Sequence, residues 1–269
     1  MSRWSGASGS CTQTVSVQKT ASASKATLLA MHTADHTLTT VDGPMRMYEA
    51  IPDERASQAL IVVMEAFGVN DHIEDVTRRA ADAGYRAVAP DFFHRSGGGT
   101  AAYDDFGTVM AKFAGITDDG ILVDVDAAIA HLHAAGFTDN QIAITGFCFG
   151  GRVTFLTAAR RKLGAAATFY GGGIVNAGGL PFPSLLDDAK TLQTPWLGLF
   201  GDLDKGIPVA DVEQLRTVLD EANSVPHEIV RYAEADHGFH CNDRPAVFNP
   251  AAAADGWQRA LNWFASHLA

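Results

Sequence analysis

Short apolar runs recur along the chain, separated by longer stretches in which polar and apolar residues alternate with a helical period. ALIVVM (59–64), RAVAP (86–90), QIAIT (141–145), AAATFY (165–170) and PWLGLF (195–200) are too short for buried helices. They have the continuous apolar character of strands covered on both faces, as in a parallel sheet. HEIVRY (227–232) reads as a further strand. TLTT and MRMYEA flank VDGP, whose Asp42-Gly43 pair predicts a hairpin between two strands. Between these runs lie helical patterns at about 73–83, 118–135, 153–163, 209–222 and 251–268. Gly84 and Gly136 act as stops, and Asn249 followed by Pro250 acts as a start. The stretch 96–116 breaks the pattern and reads as an irregular insertion over one face, and the glycine triplets at 97–99 and 171–173 read as flexible loop. Strand and helix alternate without a linker or internal repeat after residue 35. The expectation is one α/β domain from 33 to 269, with a mostly parallel central sheet and helices on both faces.

Composition narrows the function. The chain has 269 residues, is 47% hydrophobic, and carries a formal net charge of -11. No run of Lys and Arg is long enough to follow a phosphate backbone, which argues against nucleic acid, and no apolar stretch reaches membrane-spanning length. Three scattered cysteines, Cys11, Cys148 and Cys241, make no disulfide framework and fit a reducing cytoplasm. The first 30 residues hold seven Ser and four Thr but no acidic residue, a composition that reads as a disordered extension over 1–32 and less readily as a targeting peptide.

Chemistry concentrates at TGFCFGGR (145–152). The strand QIAIT runs into a turn with Gly146 two before Cys148 and Gly150 two after it, and a helix follows. That is the layout of a nucleophile elbow, in which small flanking residues let strand and helix approach and the nucleophile stands on a strained backbone. The helix N-terminus favours a thiolate there, and the Phe149 N–H is placed to meet an oxyanion. Such a fold requires an acid and then a histidine on later strand ends. GDLDKGIP after PWLGLF offers Asp202 and Asp204; AEADHGF after HEIVRY offers His237, with His240 a weaker neighbour. The alternative use of HGFHC as a metal site lacks a third ligand motif. No dinucleotide fingerprint is present, so no metal and no cofactor is expected.

GFCFGGR, VMEAFGVN (63–70), APDFFHR (89–95), GDLDKGIP (201–208) and ADHGF (235–239) together resemble the dienelactone hydrolase (carboxymethylenebutenolidase) family over about residues 33–268. The resemblance implies an α/β-hydrolase fold and a Cys-His-Asp triad that opens an enol-lactone in chloroaromatic degradation. It makes Cys148 the nucleophile, His237 the base, and Asp204 rather than Asp202 the acid, because the family's acid precedes the proline, here Pro208, by four residues. It implies that Glu65 contacts the resting cysteine and helps generate its thiolate. It also implies that the backbone N–H groups of Ala66 and Phe149 form the oxyanion hole and that Arg95 pairs with a substrate carboxylate. The best-known members carry a second arginine four residues after the histidine, where this chain has Cys241; Arg244 is the nearest substitute. The partner implied is a small lactone or ester, bearing a carboxylate, for a monomer or small homo-oligomer. A broad carboxylesterase and a redox-sensitive thiol protein remain the alternatives.

Overall fold

The computed structural model describes residues 31–177, 180–222 and 224–269; the N-terminal extension expected over 1–32 lies almost wholly outside them. Eight strands form one sheet: β1 (Met31–Thr40), β2 (Gly43–Pro52), β3 (Ala59–Val63), β4 (Arg86–Pro90), β5 (Ile142–Phe147), β6 (Ala165–Phe169), β7 (Trp196–Gly201) and β8 (His227–Tyr232). Their order across the sheet is β1-β2-β4-β3-β5-β6-β7-β8. β1 and β2 form the hairpin that Asp42-Gly43 predicts, and β2 pairs antiparallel with β4. From β4 to β8 every pairing is parallel. The five residues of β3 and the six of β5 are buried throughout, as a strand covered on both faces requires.

Among the described residues, five α-helices lie between strands, α1 (Asp71–Asp82), α2 (Phe106–Phe113), α3 (Asp118–Ala134), α4 (Phe149–Arg160) and α5 (Val209–Ala222), and a sixth, α6 (Pro250–His267), follows β8. Their starts are set by side chains that satisfy orphan N–H groups. Asn70 accepts from the Ile73 N–H, Thr117 from Gly120, and Asn249 from Ala252, with Pro250 in the first turn.

Two expectations need correction. The stretch 96–116 is not wholly irregular, because Asp105 caps α2 by accepting from the Thr108 N–H. The glycine triplets are not slack. Gly97, Gly98 and Gly99 all hold positive φ, and buried Asp91 accepts from the Phe93 and Gly99 N–H groups, fixing the turn. Gly171 sits so close to Gly151 that a side chain on either would meet the other's backbone.

The turn from β5 to α4 is the tightest point of the fold. Cys148 has φ 57° and ψ -116°, a conformation L-residues avoid. It persists because α4 is pressed onto the sheet: a Cβ at Gly150 would lie 2.6 Å from the Met64 carbonyl oxygen and closer still to that of Val63. Replacing Gly150 with Ala is therefore expected to lower stability by about 3 kcal/mol, the upper end of ordinary overpacking costs. Chemical denaturation with an unchanged m-value is the measurement; a cost under about 0.5 kcal/mol would mean the contact relaxes easily.

Candidate active site

Parallel strands end together, and the residues just beyond their C-terminal ends form one edge. Glu65 and Ala66 follow β3, Cys148 follows β5, Tyr170 follows β6, Asp204 follows β7, and His237 follows β8. Open α/β sheets bind ligands along this edge. Cys148 and His237 line one cavity of about 160 Å³, with Ala66, Phe113, Phe149, Leu180 and Ile207 among its walls.

The geometry separates the two candidate acids. The Asp204 carboxylate is buried; its Oδ2 lies 2.7 Å from His237 Nδ1, and its Oδ1 accepts from the N–H groups of Gly206 and Ile207. Asp202 instead binds the Arg231 guanidinium through both oxygens and faces away. The Gly206 and Ile207 bonds fix the carboxylate, which in turn fixes the imidazole with Nε2 directed away from it.

Burial alone would push His237 down, since it disfavours the charged ring. The neighbouring Cys148 charge and the Asp204 carboxylate outweigh it and hold His237 well above the ordinary histidine value. The charged imidazolium is the form of His237 that this arrangement favours. His240 has the opposite environment. It is buried, stacked on Phe147 with ring centroids 4.8 Å apart, and lowered by desolvation and by nearby Arg79 and His72. It is a neutral core residue. His227 and His267 bind Asp220 and the Trp263 carbonyl, away from this edge.

Glu65 is fully buried, and its Oε1 accepts from Tyr170 Oη at 3.2 Å. Its other oxygen has no hydrogen-bond partner, and the structure gives it no hydrogen bond to Cys148. Tyr170 is the residue that sequence reading missed. It is buried, has φ 37°, and packs edge-on to the His237 ring at 5.2 Å, so it stands between Glu65 and His237. Desolvation and the Glu65 charge push its hydroxyl well above the usual phenol range, so it remains a donor. The signal available in sequence was its place at the end of AAATFY, immediately before Gly171.

The motif arginine, Arg152, also has a place. Its side chain is fully buried; NH1 and NH2 bind Asp118 at 2.6 and 3.1 Å, and NH2 also donates to the Pro183 carbonyl. Its guanidinium lies 4.8 Å from the centre of the Phe182 ring, which stacks on Phe149. It is thus a positioning residue for the cavity wall.

The two arginines expected to meet substrate differ. Arg95 is not brought to the cavity. Its guanidinium binds buried Asp124 and also Asp42 and the Gly120 carbonyl, which ties the 94–96 turn to α3 and to the β1–β2 hairpin. Arg244 does approach the edge. Its NH1 reaches the Cα side of Gly238, next to His237, and the guanidinium lies over Phe67 and Tyr103 at 5.5 and 5.6 Å from their centres. Cys241, at the position of the missing arginine, is buried against Tyr103 Oη.

A parallel sheet with a strained cysteine elbow and a carboxylate-held histidine defines the α/β-hydrolase class. Within that class, residues 45–268 match the model of the dienelactone hydrolase family. The chain belongs to that family, whose members are hydrolases acting on ester bonds. It is 38% identical over 226 residues to the "Putative carboxymethylenebutenolidase" of Salmonella typhimurium, covering 83% of each chain. To the carboxymethylenebutenolidase of Rhodococcus opacus it is 29% identical over 229 residues, covering 84% of this chain and 87% of that one. Among solved structures, the "Putative Dienelactone Hydrolase" of Klebsiella pneumoniae superposes with a TM-score of 0.80 at 38% identity, over 88% of this chain and 99% of that one. No helix among the described residues is long and apolar enough to cross a membrane.

The two described cysteines should differ in reactivity. Burial first, and the Glu65 charge second, push the Cys241 thiol up to about 12, so almost none is thiolate at neutral pH, whereas Cys148 opens onto the cavity. Brief treatment with iodoacetamide at pH 7, read by peptide mass spectrometry, is expected to alkylate Cys148 at least tenfold faster than Cys241. Equal labelling of the native protein would contradict the assignment.

Proposed function

We propose that this protein hydrolyses a lactone or carboxylic ester through an acyl-cysteine intermediate, with Cys148 as nucleophile, His237 as acid and base, and Asp204 as the group that orients it. The observation that carries the proposal is the 2.7 Å Asp204–His237 bond on the same cavity edge as the strained Cys148. The thiolate attacks the carbonyl carbon, and the developing oxyanion meets the backbone N–H groups of Phe149 and Ala66. Collapse breaks the bond to the leaving oxygen, which takes the proton from the His237 imidazolium. In the second half, water attacks the thioester, His237 accepts its proton, and the thiolate leaves as the acid is released. The imidazolium–thiolate pair is restored.

Glu65 acts through Tyr170 in this reading. The tyrosine hydroxyl holds the carboxylate in place, and the carboxylate's unpartnered oxygen remains available to receive a hydrogen bond when the site rearranges around substrate. That assigns Glu65 a role in the charge balance of the nucleophile, as the family resemblance implies.

The substrate is where two readings part. A dienelactone-type substrate carries a carboxylate, and Arg244 is the guanidinium placed to meet it, since Arg95 is engaged by Asp124 and Asp42. The apolar cavity walls, with no Lys or Arg among the described lining residues, favour a broader carboxylesterase acting on neutral esters. Parallel kinetics on a dienelactone and on p-nitrophenyl acetate distinguish these. Arg244→Met is expected to raise KM at least tenfold for the carboxylate-bearing lactone and to leave the neutral ester within twofold. Equal effects on both substrates would remove Arg244 from carboxylate recognition.

Cys148→Ala is expected to abolish turnover of both substrates; unchanged turnover would sink the mechanism. Asp204→Asn tests the orienting group and lowers kcat/KM by about two to four orders of magnitude. The sign of its pH effect follows from charge. The Asp204 carboxylate favours the charged imidazolium and so raises His237. Its neutral replacement lets that value fall, and the basic limb of the kcat/KM profile, where the imidazolium is lost, moves to lower pH. A basic limb that stays in place would assign the titration to another group.

A further inference from the structure

At the other end of the sheet, three side chains with metal-ligating atoms converge. His36 on β1, Glu49 on β2 and His131 on α3 place one ligand atom each within 4.8 Å of one another. His36 Nε2 lies 2.7 Å from Glu49 Oε2, and His131 Nε2 lies 3.1 Å from Glu49 Oε1. The pairing register brings this about. Ala34 stands opposite Glu49 and His36 opposite Met47, so His36 and Glu49 are diagonal neighbours on the face that α3 covers.

We propose that His36, Glu49 and His131 form a binding site for a divalent transition-metal ion, with zinc the best match to two imidazoles and a carboxylate. Bonds of about 2.0–2.2 Å from zinc to nitrogen and oxygen place tetrahedral ligand atoms about 3.3 Å apart, near the 2.7 Å between His36 Nε2 and Glu49 Oε2, and one ligand atom from each of the three residues lies within 4.8 Å of the others. The Glu49 side chain is 1% exposed, whereas those of His36 and His131 are 34% and 18% exposed. The carboxylate is therefore fixed from within, while the histidine side opens to solvent for an ion and a fourth ligand. Both imidazoles direct Nε2 inward, and neither Nδ1 has a protein partner, so Nδ1 can carry the proton while Nε2 ligates.

The charge balance is consistent with such a site. Arg86 Nε binds Glu49 Oε1 at 2.7 Å, which leaves Oε2 as the ligand oxygen. The same guanidinium repels a cation. Binding is accordingly expected in the micromolar range rather than the far tighter range of closed cysteine sites. A bound ion would staple α3 to the β1–β2 hairpin, which otherwise sits at the edge of the sheet. The site is separated from Cys148 by β4 and β3, so the staple is structural, and turnover does not depend on it.

The test uses the full chain carrying Cys148→Ala, so that the cavity thiol does not compete for metal. Zinc titration by calorimetry is expected to give one ion per chain at this site, and excess zinc to raise the melting temperature. His36→Gln and His131→Gln keep a side-chain donor to Glu49 and so preserve the fold; each is expected to weaken zinc binding at least tenfold and to abolish the thermal shift. Cobalt should give the visible absorption of a nitrogen–oxygen site without a thiolate charge-transfer band. No zinc binding to the parent, or binding of equal strength in the His36→Gln/His131→Gln double variant, would overturn the proposal and leave the cluster as a hydrogen-bonded support for Glu49.

Discussion

Everything at the active edge depends on how closely α4 is allowed to approach the sheet. Gly146 and Gly150 have no room for a side chain against each other and against the ends of β3, and Gly151 meets Gly171 just beyond β6. These contacts hold the backbone of Cys148 at positive φ, against a cost of order 1–3 kcal/mol for such a conformation. The strain is useful because it lifts the sulfur off the strand's axis and into the cavity, at the start of a helix whose first N–H groups point the same way. A looser packing of α4 would let the turn relax and the Cys148 sulfur sink back toward the core.

The same packing recruits residues that touch no substrate. Arg152 lies one turn into α4, and its buried guanidinium spans Asp118 at the start of α3 and the carbonyl of Pro183. Such a pair gains little over an apolar replacement, but breaking it would strand a charge inside the protein. It therefore serves to specify one arrangement: α4, α3 and the segment bearing Phe182 are locked in register, and Phe182 is held against Phe149 at the wall of the cavity. The helix that follows Cys148 and the wall of the cavity are parts of one polar clamp.

Legibility in the sequence followed the strength of the local constraint. β3 and β5 were readable because a strand covered on both faces admits only apolar residues, and α6 because Asn249-Pro250 is a start signal independent of context. An elbow followed by two strand ends leaves few positions for Cys148 and His237, whereas Asp202 and Asp204 stay open on the residues alone and only the family resemblance prefers Asp204, the carboxylate that meets His237. The capped helix α2 escaped because its pattern is short and follows glycines that read as slack. Those glycines hold positive φ in a turn closed by Asp91, which accepts from the Gly99 N–H, a side-chain constraint with no sequence period. Arg95 was misplaced for a related reason. Its ligands Asp124 and Asp42 are 29 and 53 residues away, so an arginine that looks available in sequence is fully engaged in the fold. Tyr170 was invisible because its importance lies in what it separates, Glu65 from His237, and only the sheet order brings those two strand ends to either side of it.

That separation bears on how a buried carboxyl group is tolerated at this edge. Glu65 has a single hydrogen-bond donor where a buried carboxylate ordinarily has several. An unmatched buried oxygen costs about 1–3 kcal/mol, so the fold accepts instability here that it avoids at Asp204, whose two oxygens receive three contacts. The contrast divides the two acids by environment. Asp204 is fully satisfied, held by two backbone N–H groups and the His237 ring. Glu65 is left partly unsatisfied, held by one phenol, and a group in that condition responds to a small change in its surroundings with a large change in energy. The polar imbalance around Glu65 is thus the place on this edge where the fold gives up stability, and Tyr170 is what separates it from the His237 ring.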